Sequence, residues 1–264
     1  MKIGCFVLDA EREQLGNVHG APWVVWYAVA IMTMIGNNLQ RVHARMAAAC
    51  ADAGRAAADV QLLAVSKTFD ADAVREAAAA GQTAFGENYI QEAVAKIQAL
   101  QGLGLVWHCI GPVQSNKSRL VAEHFDWVHT VDRLKLAERL SAQRPAHLPP
   151  LNVCIQANID GGATKSGVAP ADVAALAQAV VGLPGLRLRG LMTIPDIAPD
   201  FAAQCAVHTG ARALFDAVKS GLSAGHAADF DTLSMGMSAD LEAAIRCGST
   251  LVRVGTAIFG GRVA

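Results

Sequence analysis

Lys67 has the residue type and the position that Schiff-base chemistry requires. It is one of seven lysines in the chain, and it directly follows the run Leu62–Ser66, whose residues are apolar or small. If that run is a buried strand, the amine at its end is partly desolvated, which favours the neutral form that attacks an aldehyde. A lysine that extends its ammonium group from a strand end into water has the same pattern. Position alone therefore leaves both interpretations open.

A glycine-containing turn late in the sequence is suited to an anion. Met235-Gly236-Met237-Ser238 runs into a helix that we predict over Ala239–Cys247, with Ser238 at its N-cap. Free backbone N–H groups and the helix dipole favour a phosphate at such a position. Ordinary capping, with Asp240 and Glu242 complementing the dipole, is the alternative.

The last apolar run, Leu251–Val254, offers a second turn and an arginine. Gly255-Thr256 follows the run and supplies further N–H groups and a hydroxyl. Arg253 lies within the run, where an arginine needs a partner. A pyridine nitrogen is one candidate partner, and a carboxylate in a structural salt bridge is an equally good one.

Alternating apolar runs and alanine-rich segments predict the elements that carry these residues. Strand and helix repeated eight times, with no G-x-G-x-x-G after the first strand, favours a single (β/α)8 TIM barrel over an open doubly wound sheet. An extra N-terminal helix is expected from Asn38 to Arg55, capped by Asn37 or Asn38. The predicted strands are Leu62–Ser66, Thr83–Gly86, Val106–Ile110, Trp127–Thr130, Val153–Ala157, Leu188–Met192, Thr232–Ser234 and Leu251–Val254. The predicted helices are Ala71–Ala80, Ile90–Leu100, Lys117–Ala122, Leu134–Ala142, Pro170–Val181, Ala202–Ser220 and Ala239–Cys247.

A barrel has its active site at the carboxyl ends of its strands. Beyond Lys67 and the two turns, five residues are expected near those ends: Asn88, His108, Met192, Thr193 and Ser234.

Composition narrows the class of protein. The 264 residues are 53% hydrophobic and 5% aromatic, and the net charge is −1. Disorder and nucleic-acid binding are therefore not expected. The six cysteines form no C-x-x-C pair, so we interpret them as core residues of a reduced cytoplasmic protein and expect no metal site.

The first residues differ in character from the rest of the chain. We expect residues 1–33 to be an extension outside the barrel, with residues 34–264 forming the single domain. The apolar segment Trp23–Met32 is shorter than the roughly 20 residues that span a bilayer, so no membrane partner is expected. We also expect the natural chain to start at Met32 or Met34.

With these motifs the chain resembles the pyridoxal phosphate homeostasis protein family, relatives of the alanine racemase N-terminal barrel. The resemblance extends roughly from Leu39 to Arg262. It rests on ordered segments: Ala64-Val65-Ser66-Lys67-Thr68, Phe85-Gly86-Glu87-Asn88-Tyr89, Trp107-His108-Cys109-Ile110-Gly111-Pro112, Gln114-Ser115-Asn116-Lys117, Lys165-Ser166-Gly167, Arg189-Gly190-Leu191-Met192, Leu233-Ser234-Met235-Gly236-Met237-Ser238 and Arg253-Val254-Gly255-Thr256-Ala257-Ile258-Phe259-Gly260.

The resemblance implies roles for these residues in holding pyridoxal 5′-phosphate. Lys67 is implied as the aldimine lysine and Arg253 as the residue facing the ring nitrogen. The phosphate would be held by Ser238, Gly255 and Thr256, and the pocket would be lined by Asn88, His108, Met192, Ser234 and Met237. Phe69-Asp70 departs from the family pattern without affecting the amine, whereas the departure at residues 160–164 puts in doubt a docking role for the loop around Lys165.

Three functions follow as alternatives. The resemblance favours a monomeric, non-enzymatic carrier that takes up the cofactor and releases it, with cofactor-dependent apoenzymes as recipients. An amino-acid racemase that uses Lys67 is the rival, although racemases of the related fold take a second base, a tyrosine, from another domain. A protein-binding scaffold, which would hold no cofactor, is the third.

Overall fold

The computed structural model describes the backbone of residues 22–162, 166–196 and 198–261, and within those ranges the side chains from residue 34 onward. Eight parallel strands form a closed barrel in chain order. The strands are β1 (Gln61–Val65), β2 (Ala84–Glu87), β3 (Val106–Cys109), β4 (Trp127–Val131), β5 (Leu151–Ala157), β6 (Leu186–Thr193), β7 (Thr232–Ser234) and β8 (Leu251–Val254). All eight predicted strands are confirmed.

Closure of the barrel excludes the open-sheet alternative. β1 pairs with β8 over four residues, from Gln61 opposite Leu251 to Ala64 opposite Val254. The helices are α1 (Pro22–Asp52), α2 (Ala71–Ala79), α3 (Ile90–Ala99), α4 (Ser118–His124), α5 (Leu134–Gln143), α6 (Pro170–Val180), α7 (Phe201–Gly221), α8 (Ala224–Asp229), α9 (Leu241–Arg246) and α10 (Thr256–Phe259). The short helices α8 and α10 were not expected from the sequence.

The bounds predicted for the N-terminal helix are wrong at both ends. The helix is continuous through Asn37 and Asn38, and the Asn38 side chain donates to the Ile258 carbonyl at 2.8 Å instead of capping. Ile35 is buried one turn before Leu39 and so extends the apolar stripe backwards. The helix ends at Asp52 because Gly54, at φ 66°, reverses the chain. The start of the natural chain and the side chains of Trp23–Met32 lie outside the described residues.

The barrel interior contains an apolar cluster and a group of buried polar side chains. Leu63, Val65, Ile110 and Leu251 form an apolar cluster separate from the larger core between sheet and helices. The buried polar side chains of the strands include His108, His129, Ser234 and Arg253. Because buried polar groups need partners, hydrogen bonds fix the positions of these four side chains.

Five cysteines of the described part are free thiols: Cys50, Cys109 and Cys154 are buried core residues as expected, whereas Cys205 and Cys247 are only partly buried, so the core interpretation is wrong for these two. Burial raises the pKa of the Cys109 and Cys154 thiols to about 12, so they are unreactive. Among the residues described, no group of three metal-ligating side chains comes together, and no helix there is long and apolar enough to cross a membrane.

Gly190 lies in β6 at the point where the register between β5 and β6 shifts. Its φ is 155°, and a Cβ added there would lie 1.7 Å from the Thr232 carbonyl oxygen. We expect Gly190→Ala to lower the free energy of unfolding by about 2–4 kcal/mol, from backbone strain plus overpacking. Urea unfolding measures the loss. Gly225→Ala in α8, where nothing lies within 4 Å of the new Cβ, is the control and should change stability by less than about 1 kcal/mol. Similar losses in the two variants would contradict the steric argument.

Candidate functional site

Lys67 lies at the carboxyl end of β1, as predicted. Lys67 is the second residue after β1, in the turn that follows the strand, and the hydroxyl of the preceding Ser66 is directed to Glu87. The Lys67 side chain is partly exposed, between the buried Ser66 and the exposed Thr68. The amine is therefore accessible from the barrel mouth.

A buried ionic cluster of Glu87, Glu92 and Lys96 holds the backbone on both sides of Lys67. Lys96 Nζ lies 2.7 Å from carboxylate oxygens of Glu87 and Glu92, and it donates to the Ser66 carbonyl at 2.7 Å. The Ser66 hydroxyl donates to Glu87 Oε1. Burial raises the pKa of Glu87 despite these hydrogen bonds. No motif in the sequence indicates this cluster.

Thr68, the residue after Lys67, has a strained backbone. Its φ is 69°, and no other non-glycine residue of the described part has a positive φ. The Thr68 N–H donates to Glu92 Oε1 at 2.8 Å. Strain of this kind persists only where its surroundings enforce it, so we infer that the Glu87–Glu92–Lys96 cluster sets the direction in which Lys67 leaves β1.

The turn after β8 lies against the end of β1. A Cβ on Gly255 would come within 3.1 Å of the Val65 carbonyl oxygen, so the two backbones approach closely. Gly255 is the N-cap of α10, which begins at Thr256; the Ile258 N–H donates to the Gly255 carbonyl at 2.8 Å, so Thr256 and Ala257 supply the N–H groups of this turn that have no described partner. The Phe69 and Phe259 rings stack at 5.1 Å and join this turn to the loop after Lys67.

The turn after β7 differs from the prediction that Ser238 caps the following helix. That helix, α9, starts at Leu241 with Asp240 at its N-cap, and the Asp240 side chain makes no cap bond. The Asp240 carboxylate instead accepts a hydrogen bond from the Met237 N–H at 2.6 Å and forms another with His208 Nε2 at 2.9 Å. Burial would raise the pKa of Asp240, but these two hydrogen bonds hold it below its usual value.

Two contacts fix the shape of that turn. Gly236 has a φ of 91°, and a Cβ there would lie 2.4 Å from the Ala244 Cβ, so only glycine fits. The Ser238 carbonyl accepts from Arg45 at 3.0 Å, and Arg45 forms an ion pair with Glu242 at 2.7 Å. Helix α1 thus anchors the turn.

Arg253 is 5% exposed and is held by neutral oxygen atoms, not by the carboxylate considered above. Its guanidinium donates to the Ser234 carbonyl at 2.8 Å, to Ser234 Oγ at 2.7 Å and to the Thr193 carbonyl at 2.8 Å. Burial lowers the pKa of Arg253 to about 10, which leaves it charged at neutral pH. An arginine has five N–H donors, so two remain outside the described hydrogen bonds.

His129, which no sequence motif indicates, connects Ser234 to His108. His129 Nδ1 lies 3.0 Å from Ser234 Oγ, and His129 Nε2 lies 2.9 Å from His108 Nδ1. Burial lowers the pKa of His108 to about 3 and that of His129 well below its usual value. Both rings are therefore neutral at physiological pH.

His108 lies deeper in the barrel than its expected place at the carboxyl ends. Its ring stacks on Trp127, the first residue of β4, at 5.2 Å and 9°. It also lines a cavity of about 830 Å³, whose other walls include Gln61, Ala84 and Val106, the first residues of β1, β2 and β3. His108 thus faces the amino ends of the strands and is connected to Arg253 through His129 and Ser234.

The remaining expected residues supply unused polar atoms and apolar walls. Asn88 Oδ1 at the end of β2 and Thr193 Oγ1 at the end of β6 are buried without a hydrogen-bond partner. Met192 is fully buried, and Met237 is partly buried. An amine, unused polar atoms and two glycine turns at one end of the barrel fit a small ligand with an aldehyde, a ring and a phosphate group. Lys165 lies outside the described residues.

The chain is similar to known proteins over most of its length. A family model described as the alanine racemase N-terminal domain matches residues 38–263. The chain is 58% identical over 231 residues to a pyridoxal phosphate homeostasis protein of Pseudomonas aeruginosa, which covers 88% of this chain and 97% of that relative. It is 53% identical over 234 residues to the protein of the same name from Escherichia coli K12, which covers 88% and 98%.

Solved structures agree in fold. PipY of Synechococcus elongatus, solved with PLP bound, is 37% identical with a TM-score of 0.72, and the match covers 86% of this chain and 100% of PipY. An alanine racemase from Corynebacterium glutamicum is 18% identical with a TM-score of 0.62, covering 88% of this chain and 62% of the racemase. The racemase likeness concerns the barrel fold alone.

Proposed function

The chain belongs to the pyridoxal phosphate homeostasis protein family, and on that premise we propose that it binds pyridoxal 5′-phosphate through Lys67 and releases it again. The observation that carries the proposal is the position of Lys67 at the barrel mouth, between two backbone segments held by the Glu87–Glu92–Lys96 cluster. The cofactor supplies a reactive aldehyde and an electron-withdrawing ring. In this proposal the chain keeps the aldehyde masked until release.

The other residues of the mouth are proposed to orient the bound cofactor. Ser238, Gly255 and Thr256 bind the phosphate, for which the N–H groups of Thr256 and Ala257, at the start of α10, have no described partner. Arg253 directs its remaining N–H donors to the ring nitrogen. As a charged donor it keeps that nitrogen unprotonated, which weakens electron withdrawal and disfavours carbanion chemistry.

Four further residues complete the proposed pocket. Asn88 contributes its unpaired buried oxygen, Met192 and Met237 form apolar walls, and Ser234 holds Arg253. We propose that His108 acts indirectly, since it faces the amino ends of the strands.

We propose that the protein is a carrier and not a racemase. A racemase needs a second base opposite the lysine, and Tyr89, a tyrosine that follows β2, is 53% exposed at the N-cap of α3. We further propose that the protein acts as a cytoplasmic monomer and that cofactor-dependent apoenzymes are its recipients. The free thiols support a reducing compartment.

Borohydride reduction followed by peptide mapping tests the attachment at Lys67. The protein is loaded with pyridoxal 5′-phosphate, reduced and digested, and we expect the added mass on the peptide that contains Lys67. Lys67→Ala should lose the label and the absorbance band of the bound cofactor. Lys117→Ala, which removes a partly exposed lysine before α4, is the matched control and should keep both.

Two outcomes would reject parts of this proposal. A label confined to Lys117 or Lys165 would move the attachment site. Appreciable racemisation of alanine or serine by the purified protein, lost in Lys67→Ala, would replace the carrier function with the enzymatic one.

A further inference from the structure

We propose that Ser234, His129 and His108 form a directed hydrogen-bond chain that positions the guanidinium of Arg253 from inside the barrel. The inference rests on the proposed function only in that Arg253 faces the cofactor. His129 is then a positioning residue for the site, although it lies outside the cofactor pocket and no motif in the sequence marks it.

The geometry of the chain is continuous. Arg253 lies 2.7 Å from Ser234 Oγ, Ser234 Oγ lies 3.0 Å from His129 Nδ1, and His129 Nε2 lies 2.9 Å from His108 Nδ1. Ser234 and His129 are fully buried, and His108 is 2% exposed. Broken hydrogen bonds in such surroundings leave polar groups that water cannot satisfy.

The direction of every hydrogen bond in the chain follows from its first member. A guanidinium only donates, so Ser234 Oγ accepts from Arg253 and must place its own hydrogen elsewhere. Among the described contacts of that oxygen, His129 Nδ1 is the atom that can accept it. His129 therefore carries its proton on Nε2 and donates to His108 Nδ1. His108 accepts at Nδ1 and, as a neutral ring, carries its proton on Nε2.

This direction gives the chain a function. A reversed His129 tautomer would point an N–H at Ser234 and leave the Ser234 hydrogen without an acceptor, so the neutral pair of rings allows one arrangement of protons. That arrangement keeps Ser234 Oγ available as an acceptor for Arg253 NH1. The orientation of Arg253 is thus set before the cofactor arrives. The Thr193 carbonyl contributes to it by accepting from NH2, the other terminal nitrogen.

Nitrogen-15 NMR of the histidine rings tests the direction in the full chain without cofactor, at pH 7. We expect both His108 and His129 to be neutral with the proton on Nε2. Ser234→Ala removes the hydroxyl that enforces this state, so the His129 signal should shift toward a mixture of the two neutral tautomers. A proton on Nδ1 of either wild-type ring, or a charged ring, would overturn the proposal.

Binding measurements test the consequence for Arg253. His129→Leu breaks the chain and should weaken binding of pyridoxal 5′-phosphate on the order of tenfold, with the label still on Lys67. His129→Asn keeps an acceptor near the Nδ1 position and should restore most of the affinity. His147→Leu, at an exposed histidine, is the control. Equal affinities of His129→Leu and wild type would overturn the positioning role. Loss of labelling in the wild type would instead reject the proposed function and leave the NMR result standing.

Discussion

Replacing Lys96 with methionine is expected to lower the free energy of unfolding by about 3–5 kcal/mol. Lys96 Nζ lies 2.7 Å from Glu87 Oε1, and the two side chains are 6% and 0% exposed. Methionine has a similar length but no charge, so Glu87 is left buried without its cation. The Ser66 hydroxyl still donates to Glu87 Oε1, but the second Glu87 oxygen has no hydrogen-bond partner, so one neutral donor remains to stabilise the buried charge.

Urea unfolding at pH 7.5 measures this loss, and two further variants isolate its cause. Lys135→Met removes an exposed lysine from α5 and should change stability by less than about 0.5 kcal/mol. The double variant Glu87→Gln with Lys96→Met removes both charges and should recover part of the stability. If Lys96→Met costs no more than Lys135→Met, the buried pair does not stabilise the end of β1.

The strands could be predicted because each is a short apolar run between polar turns. β7 and β8 match their predicted bounds at both ends, and Lys67 lies at the predicted strand end. Helices α8 and α10 have six and four residues, too few for an apolar stripe to repeat. The predicted N-terminal helix starts too late because Asn37 and Asn38 have residue types that cap helices. The contact of Asn38 with Ile258, which shows that Asn38 is not a cap, forms only in the folded chain.

The site residues that no sequence motif indicates act through long-range contacts. Lys96 has the sequence pattern of a surface lysine on a helix, and only folding brings it to Ser66, 30 residues away. His129 contacts Ser234 across 105 residues. Its one local signal is its place two residues after Trp127 in an apolar strand, which puts it on the same face. The prediction of an N-cap at Ser238 is wrong for a similar reason, because the hydrogen bond between Asp240 and His208 comes from another helix, α7.

Acid is expected to destabilise the fold through the buried histidines His108 and His129. Burial lowers the folded-state pKa of His108 to about 3, and that of His129 is also well below the ordinary value of about 6.5. Below pH 6.5 the unfolded chain therefore binds protons at these rings that the folded chain does not. Their contribution to stability is complete above about pH 6.5 and is lost as the pH falls. Each ring contributes a slope of up to about 1.4 kcal/mol per pH unit.

Urea unfolding between pH 7.5 and pH 4.5 measures that slope, and His129→Asn separates one histidine from the carboxyl groups that titrate in the same range. The variant has one fewer proton to take up on unfolding, so its stability should fall less steeply, by about 1.4 kcal/mol per pH unit below pH 6. His147→Asn removes an exposed histidine and should follow the wild type. Parallel curves for His129→Asn and wild type would mean that His129 accepts a proton in the folded protein. A charged His129 ring could not accept the Ser234 hydrogen, so the same result would also remove the fixed proton arrangement that positions Arg253.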